Sequence, residues 1–251
     1  MLKQIKIYGI LLPLLFLMTI IPLKAQDAGA VTAPAVPGAR PDIPGMLGLE
    51  FGWLLAPDFP SIMDLNFIGS FILTPYYKFD IHITHSNFSV HPGISLSSGK
   101  FSFDENITLV SRPTTDGYDT DLIGLDTLFS LATIKKSKLN TVYFEIPLEI
   151  TYRTKRDYPK QSFKLTVGAK GGVLIDAKTK YIYKQDNQTK KSKQKEKYDL
   201  NTWRVMLVGK IGYGSFNLFY NYSLLPIFKN EKGPLGTEAQ QMSFGISFDL
   251  F

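Results

Sequence analysis

Met242-Ser243-Phe244-Gly245-Ile246-Ser247-Phe248-Asp249-Leu250 places an apolar residue at every second position and a small or polar one between. Successive side chains of a strand point to opposite faces of its sheet, so this run reads as a strand with one apolar face and one of Ser, Gly and Asp. Working toward the amino terminus, Phe216, Leu218, Tyr220, Tyr222 and Leu224 alternate with Asn217, Phe219, Asn221 and Ser223. Just before them, Trp203, Val205, Leu207, Gly209, Ile211 and Tyr213 alternate with Arg204, Met206, Val208, Lys210 and Gly212. Only Gly214-Ser215 separates these two runs, which predicts a tight hairpin.

The same period recurs upstream. Phe163, Leu165, Val167, Ala169, Val173 and Ile175 oppose Lys164, Thr166, Gly168, Lys170 and Asp176; Phe144, Ile146, Leu148, Ile150 and Tyr152 oppose Glu145, Pro147, Glu149 and Thr151. Weaker versions run through Leu47 to Trp53, Phe67 to Phe79 and Phe88 to Leu96, two of them blurred by Pro75 and Pro92. The total is eight strands. Short connections at 84–87, 154–161 and 214–215 alternate with long ones at 56–64, 104–140, 177–200 and 226–240. An even number of antiparallel strands with short turns at one end and long polar loops at the other is the layout of an all-β transmembrane barrel, short turns periplasmic and long loops extracellular.

The residues of the polar faces decide between a membrane barrel and a soluble one, since alternation alone fits both. Glu50, Glu145, Glu149, Lys164, Lys170, Arg204, Lys210 and Asp249 share those faces with Gly and Ser, which predicts a barrel-interior network of opposite charges. A pair such as Glu145 or Glu149 with Lys170 is tolerable there only if fully partnered. The apolar faces carry Trp53, Tyr152, Trp203, Tyr213 and Tyr222 near strand ends, as interfacial girdles require. An eight-stranded barrel is filled by its own side chains, which argues against a general porin.

The rest of the chain agrees with export. Lys3 and Lys6, an apolar run from Ile7 to Leu23 and Lys24-Ala25 have the order of a secretory signal, with Pro13 and Pro22 interrupting a would-be anchor, so residues 1–25 are read as a cleaved signal peptide. Residues 26–45, rich in Ala, Pro and Gly, form a periplasmic tether, and 46–251 form the barrel domain. After Gln26 no stretch approaches the roughly 20 apolar residues of a membrane helix. The 251 residues, 44% hydrophobic and 20% charged, suffice for one folded domain. No Cys occurs, which removes disulfides, thiolate metal sites, thiol nucleophiles and a lipidated amino terminus. The charge of +6 comes largely from two lysine clusters, at 135–138 and 184–197. With export, this points to anionic lipopolysaccharide or solvent rather than nucleic acid.

Tyr143-Phe144-Glu145-Ile146-Pro147-Leu148, Gly168-Ala169-Lys170-Gly171-Gly172, Ile211-Gly212-Tyr213-Gly214 and Tyr222-Ser223-Leu224-Leu225-Pro226-Ile227-Phe228, with Lys232-Gly233-Pro234, resemble the PorT-like outer-membrane β-barrel family. The resemblance runs over most of the chain from Met46 and implies an outer-membrane barrel in a broad family, some of whose members are similar to secretion and gliding components. It implies no active site. The aromatic carboxy terminus resembles an outer-membrane insertion signal, except that Phe251 is out of phase with Phe248 and Leu250.

Candidate chemistry is sparse. His82, His85 and His91 are the only histidines; with Ser86 or Ser89 they suggest a base or metal site, but a turn puts His82 and His85 on opposite faces at the periplasmic end. No histidine falls in a long loop, which weighs against a lipid-modifying Ser-His-acid enzyme. No cofactor or metal is expected. Gly171-Gly172 lacks the strand-to-helix context of a phosphate loop and is read as relieving crowding in a narrow barrel. Lys190, Lys191, Lys193 and Lys195 are read as a solvated loop, with lipopolysaccharide or partner binding as the alternative. The 104–140 segment, with Leu122, Ile123, Leu125, Leu128, Phe129 and Leu131, is read as folding over the mouth or docking an envelope or secretion protein. The function expected is structural, adhesive or secretion-accessory, with narrow-pore transport and lipid modification as alternatives.

Overall fold

The computed structural model describes residues 45–114, 117–128, 133–155, 161–185 and 187–250. The expected signal peptide, the tether apart from Gly45, and Phe251 lie outside them. The strands are β1 (Met46–Leu55), β2 (Phe71–Lys78), β3 (Ile81–His82), β4 (Phe88–Phe103), β5 (Ile107–Thr114), β6 (Gly117–Gly124), β7 (Thr133–Arg153), β8 (Phe163–Gln185), β9 (Gln188–Lys195), β10 (Trp203–Tyr213), β11 (Phe216–Pro226) and β12 (Gln240–Asp249). A short α-helix, α1 (Leu125–Leu128), precedes β7.

Ten strands form one antiparallel sheet, in which β3 and β9 are short extensions; the other eight close into a barrel through β12–β1 and β8–β10. Closure leaves no strand edge in the wall, as lipid demands, because an unpaired backbone group in hydrocarbon costs several kcal/mol. The wall is two-faced as its sequence period requires. Phe51, Ile146, Leu165, Val167, Ile211 and Leu218 are exposed on the outside, while Glu50, Ser95, Glu149, Lys170 and Ser247 are buried within. An apolar belt of that extent would be a liability in water and is the lipid-facing surface of a membrane barrel.

Two of the expected long loops are corrected. Residues 177–200 are not a loop: β8 continues to Gln185 and turns back as β9, pairing Tyr181 with Ser192 and Lys180 with Lys193. The alternation of Thr179, Tyr181 and Tyr183 with Lys178, Lys180 and Ile182 carries this strand, and its lysine content hides it from an apolar count. The 104–140 segment holds a β5–β6 hairpin and α1, and its last residues belong to β7, paired with β4 as far as Phe103–Ser137. At the other end the short connection falls at 84–87 as expected: β3 pairs with β4 through His82–Ser89, and the Ile83 amide donates to the Phe88 carbonyl. The 154–161 and 214–215 connections join β7 to β8 and β10 to β11 at that same end.

The interior has two zones. At the long-connection end Leu54, Phe59, Met63, Phe101, Leu139 and Phe228 pack into one apolar cluster with Ile107 and Leu109 of β5. Burying each such side chain contributes about 1.5–3 kcal/mol, enough to hold the outer connections against the mouth. Leu125 is also fully buried and Leu122 packs against the cluster, so these two turn inward, while Phe129, Leu131 and the Leu128 side chain lie outside the described residues. Below the cluster the filling is polar and charged.

Candidate functional site

The charged zone is built from inward positions of six strands. Lys170 on β8 and Lys210 on β10 each reach a different oxygen of Glu50 on β1, both at 2.6 Å. Lys210 also lies 3.3 Å from Glu149 on β7, whose two oxygens accept from Lys78 of β2 at 2.8 and 2.7 Å. Arg204 donates to Glu145 at 2.6 Å and to Gln241 at 3.2 Å, its guanidinium 3.9 Å from the centre of the Tyr143 ring. Toward the short-turn end Lys164 donates to Asp249 at 2.6 Å, and Tyr76 donates to the other Asp249 oxygen at the same distance.

The eight residues expected in an interior network all face into the barrel, but their ion pairs form three separate groups, Glu50 and Glu149 with Lys78, Lys170 and Lys210, Arg204 with Glu145, and Lys164 with Asp249, and not the expected pairs. Lys170 does not pair with Glu145 or Glu149. The register sets Lys170 opposite Pro147, between the two glutamates, and its chain crosses the interior to Glu50. Room for the glutamates comes from the facing strand: Gly172 lies opposite Glu145 and Gly168 opposite Glu149. A Cβ on Gly172 would sit 2.9 Å from Glu145 Cγ, and one on Gly168 would sit 2.4 Å from the Leu148 carbonyl oxygen. Gly171, which faces outward, has nothing within 4 Å.

Sequence reasoning missed Lys78, Arg153, Asp80 and Tyr76. Lys78 was legible in principle, since it is in phase with Thr74 and Tyr76, but Pro75 obscures that strand. Arg153 closes the short-turn end by donating to Asp80 at 2.9 Å and to Ser89 at 2.7 Å. His82 and His91 each place Nδ1 3.6 Å from Asp80, whereas His85 sits in the turn with a φ of 57°. Three groups of the kind that hold a metal do not converge among the described residues.

A cavity of about 20 Å³ lies among Lys78, His91, Glu149 and Lys164, and one of about 10 Å³ beside Tyr143, Arg204 and Gln241. Such spaces admit a water molecule or so and no larger solute. With the apolar cluster above and ion pairs below, the lumen is filled rather than open. On the outer side, Lys191, Lys193 and Lys195 of β9 stand on one face, while Lys190 falls on the other and bonds Gln185 at 3.4 Å.

The family model described as outer membrane protein beta-barrel domain matches residues 64–229, more than half of the chain. No match is found among curated proteins. Among solved structures, the attachment invasion locus protein Ail of Yersinia pestis aligns at 8% identity and TM-score 0.30, covering 81% of this chain and 96% of that one. The chain belongs to the outer membrane protein beta-barrel domain family.

Proposed function

We propose that this outer-membrane barrel is a non-conducting, non-catalytic scaffold that presents its outer connections to envelope or secretion proteins, a structural, adhesive or secretion-accessory role of the PorT-like kind. The observation that carries the reading is the filled lumen: Glu50 and Glu149 bind three ammonium groups across the interior, and Phe59, Met63, Phe101 and Phe228 cap it. A transport path would need that network opened against a cost of several kcal/mol for each charge left unpaired. The placement of all three histidines at the short-turn end, away from the outer leaflet, supports a role without lipid hydrolysis. Cleavage of a signal after Ala25 and a tether over 26–45 complete the exported form.

Reconstitution into planar bilayers tests the reading directly. The expected result is no stepwise conductance in molar salt together with no turnover of outer-membrane lipid by the purified protein. Discrete channels would instead establish narrow-pore transport, and lipid turnover lost on His91→Ala would establish an enzyme.

A further inference from the structure

A β-bulge on β8 turns a row of lysines to the outside of the barrel. Val142 of β7 is level with Asp176 and Tyr143 with Leu174, so Ile175 is an extra residue and the side-chain phase of β8 reverses there. Without it, Ala177, Thr179 and Tyr181 would continue the outward phase of Phe163 to Val173, and Lys178 and Lys180 would point in. With it, Ala177, Thr179 and Tyr181 are buried and the two lysines face out. Bulges re-aim side chains in this way.

The cross-strand register then assembles lysines from distant parts of the chain. Lys193, Lys180 and Lys138 stand directly opposite one another on β9, β8 and β7. On one side of this row Lys195, Lys178 and Asn140 are in line, with Lys100 of β4 beyond, its ammonium over the Phe71 ring at the rim of the apolar belt. On the other side Lys191, Ile182 and Lys136 form the next row. Asp176 partners Lys195 and Lys178, and among the described residues Lys100, Lys136, Lys138, Lys180, Lys191 and Lys193 have no carboxylate within ion-pair distance. Lys138 stands above the belt, whose outward apolar run on β7 ends at Val142. Burial first, and then the Lys100 ammonium beside it, push Lys138 down to about 8.

We propose that the outward face of β7, β8 and β9 is a binding surface for the phosphates of the phosphorylated glycolipid of the outer leaflet. Like charges at cross-strand distance are unfavourable unless an anion lies between them. This face is continuous with the lipid-facing wall and stands immediately above it, on the long-connection side, where a phosphorylated headgroup layer lies. The other face of the same extension is packed, with Leu139, Thr179 and Tyr181 buried, so the lysine face is the open one. The surface needs only that the barrel sit in an outer membrane, and holds whichever partner or process the scaffold serves.

The test is the affinity of the full-length folded protein, in phosphatidylcholine nanodiscs, for added bisphosphorylated lipid A. The triple variant Lys138→Gln, Lys180→Gln, Lys193→Gln removes the central row; Lys190→Gln, Lys229→Gln, Lys232→Gln removes equal charge from outer connections off this face. An ammonium near an anionic surface contributes roughly fivefold in affinity, so the row variant, which loses three, should lose on the order of a hundredfold and the off-face variant about twofold or less. The Lys-to-Arg row variant should retain binding, and unboiled electrophoretic mobility establishes that each variant is folded. Equal loss in both Gln variants would mean diffuse charge attraction, and no loss in the row variant would remove the site; either overturns the proposal, as does equal binding of lipid A stripped of its phosphates.

Discussion

Glu50→Gln is the sharpest probe of the interior. The carboxylate is 1% exposed and divides its two oxygens between Lys170 and Lys210. Gln keeps one acceptor and loses the charge. Lys210 retains Glu149 at 3.3 Å, whereas Lys170 has no second carboxylate among the described residues. Breaking a buried pair from one side costs about 3–5 kcal/mol, and the retained acceptor places this variant at the lower end, about 3 kcal/mol. With a urea slope of about 2 kcal/mol per molar, the unfolding midpoint in detergent or lipid should fall by roughly 1.5 M. Adding Lys170→Met should recover at least half of that loss, because an apolar side chain needs no counter-charge. A Glu50→Gln midpoint equal to that of the unchanged protein, or a double variant no better than the single one, would refute the assignment of Glu50 as the counter-charge of Lys170.

Gly172→Val forces a side chain against Glu145 and should destabilise by about 1–3 kcal/mol, while Gly171→Ala, outward and unobstructed, should stay within about 0.5 kcal/mol; urea midpoints of the pair compare them. Tyr198→Phe removes a buried hydroxyl that shares a 2.7 Å bond with Thr179 and donates to the Gln194 carbonyl at 3.2 Å. A loss of about 1 kcal/mol should appear as faster tryptic cleavage of β9 with an unchanged barrel fragment, and an unchanged cleavage rate would count against that anchoring role. Phe228→Ala opens the cap cluster and should cost about 3–5 kcal/mol in the same urea assay, without creating conductance, because the ion pairs beneath remain.

The wall was legible in the sequence because a strand's two faces are fixed by position alone. Trp203 to Tyr213 and Met242 to Phe248 are outward and inward at the positions their alternation predicts, and the sorting of connections by length placed both ends. The interior charges were legible as a set for the same reason: Glu50, Lys170 and Arg204 occupy the inward phase. Their partners were not. Which ammonium meets which carboxylate depends on how far each strand is staggered against the next around the closed barrel, so Lys170 finds Glu50, 120 residues away in the chain, rather than the glutamates of its neighbour β7. Nor could alternation foresee Ile175, since one inserted residue reverses every side chain beyond it, turning Lys178 and Lys180 out and Tyr181 in. Local period determined the strands and their faces; stagger and bulge, which exist only once strands are paired, decided the ion pairs, the lysine face and the apolar cap.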